Sequence, residues 1–346
     1  MTQRILNAWY NSAWWLVLLR PIEWLFRGLR CWHLKVQSQP SSNPLPLVVV
    51  GNITLGGTGK TPVVVALVAA LKTRGIRCGI ISRGYGGGVG KGPHLVTMTD
   101  SPQLVGDEPL LLSQLTGVPV VVGWSRTAGL NWLAKNTDCD LVISDDGLQH
   151  SALKGDVEWC LLDGVRGIGN GYCLPAGPLR EPPKRLAEVD QVLSTGALYR
   201  TAQLGLETIV PLDTIYPLVP ALDLLKRVDN DQVVPWPASG STIKAIAAIG
   251  HPQRFFADLT ERGYQVDGKG FADHYQYQKN DVPTPDVVMT AKDAIKCKTM
   301  AQDLSQNWLY ATQSLVLPDD LVDSMLLKLK NKLNPTLATP IKDSHG

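Results

Sequence analysis

The sequence lacks the residue patterns of several common kinds of functional site. No two of its 6 cysteines lie within four residues of each other, so there is no C-x-x-C pair to bind zinc or to carry out thiol redox chemistry. H-x-x-x-H and H-E-x-x-H pairs are also absent, which argues against a catalytic zinc ion. Because the formal net charge is only +2, we expect no nucleic acid as a partner. We also predict no protein partner.

The composition indicates a folded protein of more than one domain. Of the 346 residues, 44% are hydrophobic and 18% are charged, which excludes disordered, collagen-like and coiled-coil proteins. A typical domain has about 100–200 residues, so we expect about two domains. The spacing of the cysteines is typical of free, buried thiols in a reducing compartment.

The first 35 residues combine tryptophan with positive charge. They hold five of the 10 tryptophans, and five basic residues against the single acidic residue Glu23. The apolar run from Ala13 to Leu19 is shorter than the roughly 20 residues that span a bilayer, and Pro21 follows it. We predict an amphipathic helix at a membrane surface. A short span and a helix packed on the protein's own core are the alternatives.

Short β-branched runs alternate with helical periodicity from Leu47 onward, and this alternation predicts a parallel sheet flanked by helices. A polar, proline-rich segment at 38–46 precedes the series, and a less regular region at about 196–240 separates it from a second, shorter α/β series. We therefore predict three parts. They are the N-terminal helix at 1–35, a larger α/β domain at 36–230 and a smaller α/β domain at 231–346.

The strongest motif lies between a predicted strand and a predicted helix. It departs from the G-x-x-x-x-G-K-[ST] phosphate loop only at its first glycine, where Thr54 stands. In such a loop, backbone N–H groups surround the phosphates, Lys60 would reach the β- and γ-phosphates, and the Thr61 hydroxyl would bind Mg²⁺. The alternative is a glycine-rich turn that binds no nucleotide. The predicted nucleotide-binding residues are Thr54, Leu55, Gly56, Gly57, Thr58, Gly59, Lys60 and Thr61.

An acidic turn follows a later predicted strand. The apolar run Leu141–Ser144 delivers Asp145 and Asp146 to the carboxyl edge of the sheet, where α/β proteins bind their ligands. One carboxylate can order Mg²⁺ or its water, and the other can orient the nucleophile. The alternative is that D-D-G only forms a turn. Together with the phosphate loop, these residues favour a P-loop NTPase-type sheet.

Three further loops carry charged residues. Arg83, in the glycine-rich segment 82–88, could contact a phosphate, unless that segment is a plain surface loop. Asp107 is either a general base or an acid that caps a helix. Arg180 and Glu181 lie in a proline-rich segment, where they are either exposed charges or a phosphate clamp and a carboxylate of the Mg²⁺ shell.

Eight segments of the chain, taken together and in their order, carry a resemblance to a known family. They extend from Val48 to Lys296 and read VVVGNITLGGTGKTPVV, SRGYGG, GDEP, SDDGLQH, DGVRGIGNGYCLPAGPLRE, IGHPQRFF, ADH and TAKDAIK. In this combination the chain resembles the tetraacyldisaccharide 4′-kinase (LpxK) family, the lipid A kinases of Gram-negative envelope synthesis. The basic, tryptophan-rich N-terminus fits the same family. One position departs from the pattern, because the family usually has Glu before Lys-Asp and this chain has Ala291.

The resemblance implies a phosphotransferase that moves the γ-phosphate of ATP to the 4′-hydroxyl of an acylated glucosamine disaccharide 1-phosphate, forming lipid IV-A. It also implies that Asp107, assisted by His274, takes the proton of that hydroxyl, and that Lys60 and Asp146 are further catalytic residues. Because the acceptor carries acyl chains, we expect a peripheral or monotopic protein at the cytoplasmic face of the inner membrane. The implied Mg²⁺ ligands are Thr61, Asp145, Asp146 and Glu181.

Two other functions stay open on the residues alone. A P-loop switch ATPase that acts on a membrane partner would share the phosphate loop, and a membrane-anchored binding protein would carry an inactive one. A GTPase is disfavoured because the sequence has no N-K-x-D. Nucleotide turnover distinguishes these functions. A kinase waits for its acceptor, a switch ATPase hydrolyses nucleotide without one, and a binding protein does neither.

Overall fold

We describe the protein from a computed structural model. Part of the predicted linker at 38–46 and the last residues of the predicted smaller domain lie outside the described residues. Within those residues the chain forms two sheets flanked by helices, which confirms the predicted α/β class. The described ranges are 3–36, 42–90, 92–150, 152–282, 286–304 and 307–333.

The N-terminal segment consists of α1 (Gln3–Tyr10), a 3₁₀ turn (Trp14–Leu19) and α2 (Arg20–Val36). Pro21 lies in the first turn of α2, where its missing N–H removes no helical hydrogen bond. No helix in the described ranges has both the length and the apolar character that crossing a bilayer requires.

This segment has a buried side and an exposed side. Trp9 and Leu16 are buried, and the Trp9 indole donates a hydrogen bond to the Pro175 carbonyl at 3.1 Å. The other side leaves a large apolar surface exposed, as far as the described residues show. Its more than half-exposed residues are Trp14, Val17, Leu18, Ile22, Trp24, Leu25, Leu29 and Trp32.

Eight strands form the larger sheet: β1 (Leu47–Gly51), β2 (Cys78–Ser82), β3 (His94–Leu95), β4 (Val120–Val122), β5 (Leu141–Asp145), β6 (Val157–Asp163), β7 (Gln191–Thr195) and β8 (Tyr216–Leu218). Their order across the sheet is β3-β4-β2-β5-β1-β6-β7-β8, and all neighbours are parallel except β3 and β4. The central strands are buried along their whole length, because helices cover both faces of a parallel sheet.

α-Helices follow four of these strands, namely β1, β3, β4 and β7. α3 is apolar on most of its surface, packs against α5 and buries six residues between Val63 and Leu71. Its position directly after β1 and the phosphate loop is the strand–loop–helix order that we predicted. The helices of this part are α3 (Lys60–Thr73), α4 (Pro102–Val105), α5 (Asp107–Thr116), α6 (Arg126–Asn136) and α7 (Arg200–Leu206).

Six strands form the smaller sheet: β9 (Ala221–Arg227), β10 (Val233–Val234), β11 (Thr242–Ala247), β12 (Gln265–Gly270), β13 (Val287–Thr290) and β14 (Leu309–Ser314). β12, β11, β13 and β14 are parallel neighbours in that order, and β9 and β10 extend the sheet beyond β14 as antiparallel strands. The remaining helices are α8 (Pro252–Glu261), α9 (Ala291–Leu304) and α10 (Asp319–Leu329).

The last helix packs differently from our expectation. We expected α10 in the smaller domain, but Leu321, Val322 and Met325 are buried in the core of the larger sheet. The Arg74 guanidinium, just after α3, reinforces this contact by pairing with Asp319 of α10 at 2.7 Å. At the other end of the second series, β9 belongs to the smaller sheet although it begins before the boundary that we placed after residue 230.

Met325→Ala should lower the free energy of unfolding by about 2–5 kcal/mol, because the lost side chain leaves a cavity in the core of the larger sheet. Leu327→Ala is the matched control on the exposed side of α10, with a side chain that is 70% exposed. It should change the free energy by less than about 0.5 kcal/mol. Denaturant unfolding measures both values, and equal small effects would contradict the packing of α10.

Candidate active site

The phosphate loop is fixed by glycine geometry and by β7. Gly56 and Gly59 have φ angles of 97° and 77°, which glycine adopts without strain. A Cβ atom on Gly59 would lie 2.9 Å from the Thr195 methyl group, so a larger residue has no room there. The Thr195 hydroxyl also donates a hydrogen bond to the Thr58 carbonyl at 2.9 Å. The second half of the loop is therefore held in one conformation.

The first half of the loop is held by the proline-rich segment around residue 178. Thr54 is buried and forms a backbone bridge with Leu179, and the Leu55 N–H donates to the Pro178 carbonyl at 2.8 Å. The Asn52 side-chain amide donates to the Thr54 carbonyl at 2.9 Å. These contacts hold the backbone of Thr54. Threonine therefore fits the position at which the phosphate-loop pattern has its first glycine.

Lys60 begins α3 and directs its ammonium group toward the acidic turn. Its Nζ atom lies 3.3 Å from Asn52 Oδ1 and 3.3 Å from Asp146 Oδ1. A cation at the start of a helix, beside a loop of backbone N–H groups, is a favourable site for phosphate oxygens.

The two carboxylates of the acidic turn differ in protonation. Burial, together with the nearby Glu108 carboxylate, raises the pKa of Asp145 to about 7. Burial acts in the same direction on Asp146, but the Lys60 and Arg180 cations outweigh it and hold the pKa of Asp146 well below its usual range. Arg180 contacts Asp146 Oδ2 at 3.0 Å. The two neighbouring carboxylates are therefore shifted in opposite directions, and Asp146 is the one that is ionised at neutral pH.

Arg126 fixes this turn, a role that we did not predict. Its buried guanidinium donates to the carbonyl oxygens of Asp145 at 3.0 Å and of Asp146 at 2.7 Å. The constraint matters because Asp146 has a positive φ of 51°, a conformation that costs energy for a residue with a side chain. Since Arg126 bonds backbone oxygens, no pattern in the acidic turn could have identified it.

Glu181 lies among cations and an amide. Its carboxylate pairs with Arg30 of α2 at 3.1 Å and accepts a hydrogen bond from the Gln149 amide at 2.7 Å. Gln149 in turn accepts from Arg180 at 3.2 Å, and Arg180 contacts Asp146. Glu181 is thus connected through two side chains to the acidic turn.

The predicted Mg²⁺ ligands do not form a dense carboxylate cage. Within the described ranges, no group of three or more His, Cys, Asp or Glu side chains is arranged to hold a metal ion. Mg²⁺ at a phosphate-transfer site needs only one or two protein oxygens, because phosphates and water supply the others. Thr61 and the ionised Asp146 are oxygen donors of this kind and line the same cleft. The residues fit the ion, and the ligand assignment stays a prediction.

Asp107 and His274 form a direct pair. Asp107 is the first residue of α5, with Gly106 as its N-cap, and His274 Nδ1 lies 3.0 Å from Asp107 Oδ2. Burial acts to raise the pKa of Asp107, but the contact with His274 and the nearby cations hold it below its usual range. The same contact raises the pKa of His274. At physiological pH the pair is therefore an ionised carboxylate beside an imidazole that can be protonated.

One cleft of about 1480 Å³ brings most of the predicted groups together, but Thr54, Asp107 and Glu181 are not among the residues that line it. Lys60, Thr61 and Asp146 line it from the larger sheet, and His274 lines it from the loop after β12 of the smaller sheet. Asp107 joins the cleft through its hydrogen bond to His274. A group that binds phosphates and a group that can accept a proton therefore share one space.

The loop after β11 closes against the phosphate loop through contacts that we did not predict. A Cβ atom on Gly250 would lie 2.2 Å from the Gly57 nitrogen. Arg166 donates to the Gly57 carbonyl at 2.8 Å, and Asp163 holds Arg166 at 3.2 Å. His251 Nδ1 lies 3.6 Å from the same carboxylate. Asp163 ends β6, so its position at the carboxyl edge of the sheet was the signal that could have identified it.

These features define the class of protein. A parallel sheet whose central strand leads into a glycine-rich loop and a Lys-Thr helix start, with carboxylates from the neighbouring strand, is typical of P-loop nucleotide-dependent enzymes. A family model described as tetraacyldisaccharide-1-P 4′-kinase (LpxK) matches residues 14–330. The chain belongs to this family, as its motifs predicted.

Relatives of known name agree with this assignment. The tetraacyldisaccharide 4′-kinase of Azotobacter vinelandii is 40% identical over 338 residues, which cover 95% of this chain and 98% of that protein. The enzyme of the same name from Hahella chejuensis is 43% identical over 314 residues, covering 87% and 89%. The crystal structure of LpxK from Aquifex aeolicus in complex with ATP has a TM-score of 0.73 at 25% identity, covering 92% of this chain and 99% of that one.

Gly250→Ala should weaken ATP binding without unfolding the protein. The added methyl group would overlap the Gly57 backbone, so the phosphate loop must shift. We expect the Kd for ATP to rise about tenfold, which corresponds to about 1.4 kcal/mol. Gly90→Ala is the control, because nothing lies within 4 Å of the added atom. Titration calorimetry measures both values, and an unchanged Kd for Gly250→Ala would contradict this contact.

Proposed function

We propose that this protein transfers the γ-phosphate of ATP to the 4′-hydroxyl of tetraacyldisaccharide 1-phosphate, forming lipid IV-A and ADP. The observation that carries the proposal is that the phosphate-loop cation Lys60 and the Asp107–His274 pair serve one cleft. A kinase needs both groups, because it must hold the phosphates of the nucleotide and also position a hydroxyl nucleophile. Relatives at 40% and 43% identity carry the name of this kinase.

The phosphate loop binds the triphosphate in this proposal. Backbone N–H groups of residues 56–59 and the Lys60 ammonium neutralise its negative charge, which is the main requirement of phosphoryl transfer. The Aquifex aeolicus LpxK structure, determined in complex with ATP, supports this assignment. Mg²⁺ would add positive charge at the phosphate oxygens. Thr61 and Asp146 are its proposed direct ligands, and Asp145 and Glu181 would serve the ion through its water molecules.

Asp107 is the proposed general base. A sugar hydroxyl is a weak nucleophile, so a carboxylate that aligns it and accepts its proton late in the transfer lowers the barrier. The Asp107 carboxylate is ionised at physiological pH, as a proton acceptor must be, because His274 and the nearby cations hold its pKa below the usual range. His274 assists by fixing the orientation of the carboxylate.

The N-terminal segment is the proposed membrane contact, at the cytoplasmic face of the inner membrane. Its exposed tryptophans and leucines suit a lipid interface, and its basic residues suit anionic headgroups. An enzyme held at this surface reaches the sugar of an acylated acceptor without extracting the lipid. In this proposal, residues 1–35 contact the membrane and the larger sheet binds the nucleotide. The smaller sheet forms the side of the cleft that carries His274.

Transfer of ³²P from [γ-³²P]ATP to purified tetraacyldisaccharide 1-phosphate in detergent micelles tests the function. We expect labelled lipid only when both the acceptor and the protein are present. Lys60→Ala is the control protein, because it lacks the phosphate-loop cation. Phosphate release that needs no acceptor would indicate a switch ATPase, and a complete lack of turnover would indicate a binding protein. Either result would overturn the proposal.

Asp107→Asn should lower kcat by about 10²–10⁴-fold, because an amide of nearly the same shape cannot take the hydroxyl proton. ATP affinity should change little, since the phosphate-binding groups are elsewhere. His274→Ala should show a smaller loss, and the double variant should lose less than the product of the two, because the residues act as one unit. These kcat values are measured at saturating ATP. An Asp107→Asn enzyme within a few-fold of wild type would move the base to another carboxylate, with Asp146 the first to test.

Replacing Trp14, Leu18 and Trp24 together by Ser should weaken binding to anionic phospholipid vesicles at least about tenfold, because exposed apolar area is lost. Substitution is a sharper test than deletion, since α2 also contacts Glu181 through Arg30. Co-sedimentation measures the effect. The control replaces three residues of similar exposure outside the segment and should bind as wild type does. Unchanged sedimentation of the first variant would place the membrane contact elsewhere. The control residues are Val219, Val316 and Leu327.

A further inference from the structure

Three successive carbonyl groups of the phosphate loop each accept a hydrogen bond from a side chain. The distances are 3.4 Å for the Gly56 carbonyl, 2.8 Å for the Gly57 carbonyl and 2.9 Å for the Thr58 carbonyl. The donors, in the same order, are Asn52, Arg166 and Thr195. Arg166 is the charged donor of the three, and hydrogen bonds from charged groups are the stronger ones.

The bond from Arg166 fixes the direction of a whole peptide group. The Gly57 carbonyl and the Thr58 N–H belong to one planar trans peptide, so they point in opposite directions. Gly57 and Thr58 line the cleft, whereas Arg166 is not among the residues that line it. With its carbonyl bonded to Arg166, the peptide therefore turns its N–H toward the cleft, where phosphate oxygens accept hydrogen bonds. Glycine lets such a peptide turn over with little strain, and a reversed peptide would present its oxygen to the phosphates.

Arg166 is itself held by Asp163, at the end of β6. Its backbone N–H donates to Asp163 Oδ1 at 3.0 Å, and its Nε donates to Asp163 Oδ2 at 3.2 Å. Burial acts to raise the pKa of Asp163, but the contacts with His251 and Arg166 hold it well below its usual range. The ionised carboxylate therefore orients a guanidinium whose side chain is only 13% exposed.

The N-terminal segment covers the face of this guanidinium. Tyr10 is the last residue of α1, and the centroid of its ring lies 5.3 Å from Arg166 Cζ, within the range of a cation–π contact. Burial raises the pKa of the Tyr10 phenol, and the Arg166 cation acts in the opposite direction. The neighbouring Trp9 carbonyl accepts a hydrogen bond from the Asn170 N–H at 3.1 Å. The segment with the exposed apolar face therefore contacts the residue that holds the phosphate loop.

We propose that Arg166 is a positioning residue for the nucleotide, which holds the Gly57–Thr58 peptide with its N–H directed at the phosphates. The Asp163 carboxylate and the Tyr10 ring hold Arg166 in place for this role. Arg166 acts through the peptide and not through a contact of its own with the phosphates. The inference rests on the proposed function, because that function makes the phosphate loop the ATP site.

The sequence allows this one peptide to be observed by NMR. Gly57–Thr58 is the only Gly-Thr step in the 346 residues. In full-length protein labelled with carbonyl-¹³C glycine and ¹⁵N threonine, it is therefore the one peptide bond that joins the two labels. A hydrogen bond to a carbonyl moves its carbon signal downfield. Arg166→Met should move the Gly57 carbon signal upfield in the nucleotide-free protein, a change that needs no turnover.

Arg166→Met should also raise the Kd for ATP about tenfold to hundredfold, because a charge-assisted bond that orients a phosphate donor is lost. The KM for the lipid acceptor should stay nearly unchanged, which a general loss of structure would not allow. Titration calorimetry measures the Kd. Arg262→Met is the matched control, since Arg262 also donates to a backbone carbonyl and lies over an aromatic ring, but in the smaller sheet. It should bind ATP as the wild type does.

Tyr10→Leu and Tyr10→Phe test the support from the N-terminal segment. Tyr10→Leu removes the aromatic face and should raise the Kd for ATP about twofold to tenfold, with an upfield movement of the same carbon signal. Tyr10→Phe keeps the ring over the guanidinium and should retain both wild-type values.

An unmoved Gly57 carbon signal in Arg166→Met would overturn the proposal, because Arg166 would then not hold this carbonyl. An unchanged Kd for ATP in the same variant would overturn it as well. If Arg166→Met does not fold, the Tyr10 variants decide, and identical signals and affinities in Tyr10→Leu and Tyr10→Phe contradict the proposal. A wild-type protein that binds ATP but labels no lipid would end the proposed function alone, since the carbon signal and the Kd would still test Arg166. A wild-type protein that does not bind ATP would overturn both.

Discussion

Parallel pairing of β1 with β5 on one side and β6 on the other is the constraint on which the site depends. Val50 pairs with Asp145 across one edge of β1 and with Trp159 across the other. Because parallel strands end at the same edge, the phosphate loop, the acidic turn and Asp163 emerge side by side. A shift of one residue in this pairing would turn each side chain to the opposite face. The pairing of these largely apolar strands therefore sets the spacing of the charged groups at their ends.

The site also depends on ion pairing, because charged side chains in a cleft need partners of opposite charge. Asp146 is held by Lys60 and Arg180, and Glu181 by Arg30, whose guanidinium also donates to the Arg180 carbonyl at 3.1 Å. An unpaired ion in such a site would cost several kcal/mol, so each of these contacts stabilises the others. Since Arg30 belongs to α2, the segment with the exposed apolar face is bonded to the same network as the phosphate loop. The proposed membrane contact and the phosphate site are therefore parts of one bonded structure.

Local patterns in the sequence were sufficient to predict the central strands and the phosphate loop. Short apolar runs form the strands Cys78–Ser82 and Val287–Thr290, in agreement with the alternation of such runs with helical periodicity. β12 carries no such signal, since it contains two glycines and mostly polar residues and is formed by pairing with β11 rather than by propensity. For the candidate site, glycines and paired acids marked the phosphate loop and the acidic turn. Arg126 had no such mark, because it bonds backbone oxygens.

The return of α10 to the larger sheet determines the order in which the protein can be completed during synthesis. The strands β1 to β8 leave the ribosome first, but the core that they share with Leu321 and Met325 cannot close until the whole smaller sheet has also emerged. The N-terminal segment, with its exposed tryptophans, emerges before all of them. It is therefore available to a lipid surface while the catalytic fold behind it is still incomplete.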